Sequence, residues 1–197
     1  MKVSKQQMAL NRERILDTAA TLFRERGFDG IGVADLMEKA GLTHGGFYGH
    51  FASKEALMAE AATRAGAQAE GVWEGARQAG AATPAALRAA FADYYLSAEH
   101  RAGPGRGCVV AALGADAARQ GGPVRGAFTR FIGLAAERIA AISPGRSAAA
   151  RRSRALADYA QLVGAMVLAR AVDDTALSDE ILAAARERLG LEPQAAG

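Results

Sequence analysis

Apolar residues recur at intervals of three and four along almost the whole chain, and nowhere do they alternate with polar ones over the length of a strand. That spacing stacks them on one face of an α-helix. β-Branched residues are few and scattered, which removes the remaining support for strands. The expected class is therefore all-α, with glycine- and proline-containing breaks fixing where helices end.

About nine helices follow from this pattern. Ile15, Ala19, Leu22 and Phe23 define a first helix over about 9–26, closed by Gly27 as a left-handed C-cap. A short second helix over about 33–40 carries Leu36, Met37 and Ala40 on one face and stops at Gly41. The third begins after Thr43, whose hydroxyl is expected to cap it, and holds Phe47, Tyr48 and Phe51. Ser53 caps a fourth helix that runs to about residue 78, with Glu55 near its positive end. Thr83-Pro84 opens a fifth, to about residue 100, with Leu87, Phe91, Tyr94 and Ala98 as its buried stripe. After the glycine/proline loop 101–107, Cys108 begins a sixth helix and Val124 to Ile142 mark a seventh. The eighth spans about 147–172, with an apolar arc (Leu156, Ala160, Val163, Val167, beside Tyr159, Leu162 and Met166) too wide for one buried face. Ser178 is expected to cap a ninth, with Leu182, Ala185 and Leu189 inward and Arg186 and Arg188 outward. The tail after Leu191 is expected to fray.

With 197 residues, half of them apolar, the chain can bury a core without disulfides or metal. No apolar run is long enough to span a bilayer, and Met1 to Arg14 lacks the apolar stretch of a secretory signal, so the expected location is the cytoplasm, with no membrane partner. The single cysteine, Cys108, forms no internal disulfide, in keeping with a reducing compartment. There is no phosphate-cradling glycine loop, no metal spacing among His44, His50 and His100, and no Ser/His/Asp arrangement. An enzyme, a cofactor and a metal are accordingly not expected. The net charge of +3 permits nucleic-acid contact. Eight Lys/Arg against seven Asp/Glu over Met1 to Leu57 mean that any such surface comes from the placement of charge and not from its excess.

The informative stretch is Val33 to Leu57, VADLMEKAGLTHGGFYGHFASKEAL. A short helix, a glycine-containing turn and a second short aromatic helix are the parts of a helix-turn-helix, in which the first helix braces and the second lies in the major groove. Many helical hairpins share that outline without touching DNA. More specifically, RERILDTAATLFRERGFDGIGVADLMEKAGLTHGGFYGHFASKEAL, from Arg12 to Leu57, resembles the N-terminal domain of the tetracycline-repressor (TetR) family without a gap. The resemblance implies a DNA-binding domain over 1–52 and a ligand-binding and dimerisation domain over 53–197. It further implies a repressor that binds a palindromic operator in double-stranded DNA as a homodimer through its last two helices, released by a small-molecule effector that the sequence does not name.

Carried onto this chain, the family's roles have Thr43 and His44 open the recognition helix, Thr43 on a phosphate and His44 on a base edge, with Gly45 also among the DNA-binding residues. Tyr48 and His50 would contact the backbone, and Lys54 another phosphate. Lys5, Arg12 and Arg14, with Lys2, form a basic arm available for further contacts. Phe47 and Phe51 read better as core; Lys54 alone would read as a solvated charge, and His50 could pack at the domain edge. Gly46 and Gly49 stand where the family commonly has larger side chains, which leaves few side chains to read bases. Gly32 likewise replaces a usual Ser/Thr at the start of the second helix.

For the effector pocket the resemblance suggests Phe91, Tyr94, Tyr95, Val110, Leu113, Phe128, Phe131 and Met166, with Trp73 near the entrance; plain core packing is the rival for each. Cys108, after a Gly/Arg loop and near a helix start with Arg101 and Arg106 close in sequence, is a possible thiol sensor. A redox- or electrophile-sensing repressor and a helical adaptor that binds protein through the same surface remain the alternatives.

Overall fold

The computed structural model describes residues 4–68 and 70–191, and every regular element among them is helical. In order these are α1 (Lys5–Arg26), α2 (Val33–Lys39), a 3-10 helix (His44–Gly49), α3 (Lys54–Gln68), α4 (Glu70–Gln78), α5 (Pro84–Tyr95), α6 (Ala98–Ala102), a 3-10 turn (Pro104–Arg106), α7 (Val109–Ala118), α8 (Gly122–Ile142), α9 (Ala148–Ala171) and α10 (Thr175–Arg188). The expected all-α class holds. The stretch expected to be a fourth helix holds α3 and α4, and residue 69 between them lies outside the described residues. No helix among the described residues is long and apolar enough to cross a membrane.

The helices group into two compact units that do not follow chain order. One combines the described residues of Met1–Ala67 with Pro104–Phe131; the other combines Gln68–Gly103 with the described residues from Ile132 onward. A boundary after residue 52 was the expectation from the sequence. The first unit keeps α3 and later takes back α7 and the first half of α8.

In the first unit, Ile15, Leu16, Ala19 and Phe23 of α1 meet Leu36 and Met37 of α2, Phe47, Leu57 and Ala61 of α3, Leu113 of α7, and Val124 and Phe128 of α8 in one apolar core. The end of α1 explains why α7 belongs there. Gly27 closes the helix at φ +77°, its N–H donating to the Phe23 carbonyl at 2.8 Å. A Cβ there would lie 2.8 Å from Asp116 Oδ2, so only glycine fits, both by conformation and by space. That same Asp116 oxygen accepts the Phe28 N–H at 3.1 Å. Arg24, only 4% exposed, donates to the Ala20 carbonyl at 2.8 Å and to the Gly107 carbonyl at 3.0 Å. Burying a guanidinium is tolerable only with such partners, and here one of them fixes the loop that leads into α7. Gly66 admits the Phe131 ring against α3, since a Cβ there would fall 1.4 Å from it.

In the second unit, Thr83 caps α5 by accepting the Ala86 N–H at 3.1 Å, with Pro84 in the first turn as expected. The expected run to residue 100 stops earlier. Ser97 accepts the His100 N–H at 3.0 Å and starts α6, because a serine hydroxyl competes for the backbone of a continuing helix. Ser147 caps α9 as its place suggests. Ser178 does not cap α10: Asp174 does, accepting from Ala176 and Leu177 N–H at 2.8 and 3.2 Å. Ser178 is buried, donating to the Ala169 carbonyl at 2.6 Å and accepting from Arg101 at 2.7 Å. Arg186, expected to face outward, is buried and pairs with Asp93 at 2.6 Å.

Two further features matter below. Ala155, Tyr159, Leu162 and Met166 form the inner face of α9, while Leu156, Val167 and Leu168, and Leu177 of α10, stay exposed. His100 is buried beside the rings of Tyr94 and Tyr95, its Nδ1 donating to the Tyr95 carbonyl at 2.6 Å. Burial pushes its pKa below the ordinary 6.5; the bond to Tyr95 opposes that shift and the Arg170 charge adds to it.

Candidate nucleic-acid interface

Seven residues make α2, entered through Gly32, whose carbonyl accepts the Leu36 N–H at 3.1 Å and which has no side chain to cap with. Gly41, at φ +69°, turns the chain, and the Leu42 N–H closes back on the Met37 carbonyl at 2.9 Å. Thr43 is extended, and His44–Gly49 then winds as a 3-10 helix. This corrects two expectations: the element is not an α-helix, and the Thr43 hydroxyl caps nothing. The tighter i to i+3 winding closes the first turn through the Thr43 carbonyl, which accepts the Gly46 N–H at 3.0 Å, and leaves the hydroxyl outside.

Phe47 anchors this helix with no exposed surface, its ring 5.2 Å from Tyr48 edge-to-face and 5.9 Å from Phe51. Both Phe47 and Phe51 are core, as expected. Tyr48, the next residue, is 70% exposed. Thr43, His44 and Gly45 are exposed beside it, and His50 is half-buried. Lys54 is half-buried at the start of α3, where Ser53 accepts the Ala56 N–H at 3.0 Å as the sequence suggests. The sequence-selected residues thus occur together on one helix and the start of the next, with their aromatic and basic members accessible.

The basic arm resolves differently. Lys5 lies in α1 itself, which Ser4 caps by accepting the Gln7 N–H at 3.1 Å, and Lys2 falls outside the described residues. Arg14 is exposed. Arg12 is committed inward: it pairs with Glu60 at 2.5 Å and stacks 4.7 Å over the Phe51 ring. One turn further, Arg64 of α3 bonds Glu13 and, at 3.1 Å, Asp17. Sequence periodicity carries no signal for these cross-helix pairs.

The residues suggested for an effector pocket fall into both units. Leu113 and Phe128 belong to the apolar core of the first unit, and Val110 and Phe131 pack against it. In the second unit, Trp73 stacks on Phe91 at 4.1 Å, Phe91 lies 5.7 Å from Tyr95, and Met166 is fully buried; Tyr94 is exposed. A cavity of about 20 Å³ there is lined by Phe91 with Arg88, Ile139, Asp158, Leu162 and Leu189 among others. Cys108 is half-buried at the N-cap of α7 and makes no cap bond. Arg101, expected to serve it, is bonded to Ser178 and Asp179. No group of three His, Cys, Asp or Glu among the described residues could hold a metal ion.

Comparison with known proteins agrees with this geometry. Residues 15–61 match the family model for bacterial regulatory proteins of the tetR family. The HTH-type transcriptional repressor KstR2 of Rhodococcus jostii is 47% identical over 49 residues, 25% of this chain and 24% of that protein. The chain thus matches about a quarter of that relative's length. The crystal structure of a TetR-family transcriptional regulator from Cytophaga hutchinsonii superposes with a TM-score of 0.78 at 22% identity, covering 99% of this chain and all of that one. Reduced NemR of E. coli does so with a TM-score of 0.73 at 23% identity, over 95% and 99% of the two chains. The match to the tetR family thus lies in residues 15–61, the helix-turn-helix and its flanking helices, and the solved structures extend the likeness of fold over the rest of the chain.

Proposed function

We propose that this chain represses transcription by binding a palindromic operator as a homodimer, and that a small-molecule effector releases it. The observation that carries the reading is the pair Phe47 and Tyr48: one ring wholly buried, the next largely in solvent, within a 3-10 helix that also exposes Thr43 and His44. A large aromatic left in water beside polar neighbours and a lysine suits a phosphate backbone better than it suits the fold. Thr43, Tyr48, His50 and Lys54 supply phosphate contacts, and His44 the base-edge contact.

Two identical half-sites need two readers, about one DNA turn apart. The exposed Leu156, Val167 and Leu168 of α9 and Leu177 of α10 support a dimer built through the last two helices. For the effector, the second unit offers the Trp73, Phe91 and Tyr95 ring cluster and a small cavity that Phe91 lines with Ile139, Asp158 and Leu162. Effector binding there acts by favouring one spacing of the two readers over another. The half-buried Cys108 thiol supports a second route to release, by oxidation or electrophile addition.

The test is binding to a labelled duplex from the gene's own upstream region over a salt series, wild type against Tyr48→Ala and Lys54→Ala. Specific binding that weakens steeply with salt and is lost in both variants supports the reading. Retention equal to that of a scrambled duplex, from both this fragment and a genome-wide selection, refutes it.

A further inference from the structure

The 3-10 helix carries glycine at three of its six positions, and nothing in the fold requires them there. None of Gly45, Gly46 and Gly49 has positive φ, unlike Gly27, Gly41, Gly80 and Gly190. A Cβ built at Gly45 or Gly49 meets no atom within 4 Å, and one at Gly46 meets only the Met37 Cε, at an ordinary 3.8 Å. In a 3-10 helix residues three apart stack along one side, and Phe47 is the residue of this helix that turns into the core, while His44, Gly45, Gly46, Tyr48 and Gly49 are exposed. Gly45 then lies under Tyr48 on a second side, and Gly46 with Gly49 leaves a third side as bare main chain. Glycine at such places costs helix stability and adds nothing to packing.

We propose that this bare ridge is a close-approach surface, on which base pairs of the operator pack directly against the main chain of Gly45 to Gly49. Gly49 acts as a specificity-determining residue because it has no side chain. The inference rests on the DNA-binding reading above. A Cα hydrogen and a peptide edge lie several ångströms nearer the helix axis than a side-chain tip, so the groove floor comes within van der Waals contact only where Cβ atoms are missing. Discrimination then falls to groove shape and to His44, with few other hydrogen bonds to base edges.

The experiment uses the full chain and a duplex that the wild type enriches from a random library, with an unrelated duplex for comparison. Gly45→Ala, Gly49→Ala and Gly49→Lys are measured beside Gly75→Ala, an equally unobstructed glycine of α4. The expected result is that Gly45→Ala and Gly49→Ala keep or raise Tm yet weaken the enriched duplex by about tenfold or more, the size of a mismatched base pair. Binding to the unrelated duplex stays unchanged, as do both duplexes with Gly75→Ala. Gly49→Lys, despite its added positive charge, also weakens the enriched duplex. Unchanged affinity in the alanine variants, or tighter binding by Gly49→Lys, overturns the proposal. A lowered Tm in the alanine variants assigns the glycines to the fold and overturns it equally. A wild type that enriches no duplex sinks the DNA-binding reading itself, a result separable from the others because no variant enters it.

Discussion

Phe47 and Tyr48 are neighbours in one short helix, and truncating each to alanine should give opposite phenotypes. Phe47 has no exposed surface and touches two other rings, so Phe47→Ala removes a whole buried side chain and leaves a cavity beside Phe51 in the core that also holds Leu36, Met37 and Leu57. Truncations of that kind cost about 3–5 kcal/mol. For a chain of this length, each kcal/mol moves Tm by roughly 2–4 °C, so a fall of about 6–20 °C is expected. Tyr48 is 70% exposed, and among the described residues its ring packs edge-to-face on Phe47. Losing that contact costs at most about 1 kcal/mol, and Tm should move by only a few degrees. Thermal and urea denaturation followed by far-UV circular dichroism measures both, and titration of a labelled operator measures binding for the variant that stays folded. Tyr48→Ala should then be well folded and deficient in binding. If the two variants lost equal stability, Tyr48 would be a core residue and the division of this helix into a buried and a reading side would be wrong.

Three further outcomes follow from the geometry. Arg24→Met keeps much of the side chain's bulk but strips the Gly107 carbonyl of its donor, and should cost about 2–4 kcal/mol by urea denaturation, since bonds from a buried cation are worth roughly 1.5–3 kcal/mol each. Ser53→Ala should cost about 1 kcal/mol by the same measurement because Ser53 caps α3, whereas Thr43→Ala, which removes no cap, should leave stability unchanged and show only in DNA affinity. His100 is held in its neutral form, with a pKa below 6.5, so the unfolded chain binds the proton more readily. Its contribution is complete above pH 6.5 and is lost as pH falls below that value towards the folded pKa. His100→Asn should flatten that part of the Tm profile against pH, and a wild-type profile flat from pH 7 to the folded pKa would refute the assignment.

What the sequence made legible here was local. Gly27, Gly41, Ser53, Thr83 with Pro84, and Ser147 end or begin helices where expected, because a cap depends on a residue and its near neighbours. The exposed members of the helix-turn-helix were legible through resemblance, and Phe47 and Phe51 through their helical spacing. The misreadings concern side chains whose roles are settled across helices. Arg12 faces Glu60 and Phe51, Arg186 faces Asp93, and Ser178 lies between Ala169 and Arg101. No periodicity marks such pairs. The 3-10 winding of His44–Gly49 was hidden for another reason: three glycines in six positions erase the pattern that separates one helix type from another.

The bonds from Arg24 to Gly107 and from Phe28 to Asp116 bear on how this protein can be made and recombined. Since Leu113, Val124 and Phe128 complete the core around α1, a nascent chain cannot finish the unit that holds the helix-turn-helix until Phe131 has left the ribosome. The segment from Gln68 to Gly103, which belongs to the other unit, is already synthesised by then. For the same reason a fragment cut after Leu57, or a chimera joined at residue 52, would carry α1 with its Gly107 and Asp116 partners missing. Grafting this helix-turn-helix onto another protein therefore requires transplanting two separate stretches of chain together.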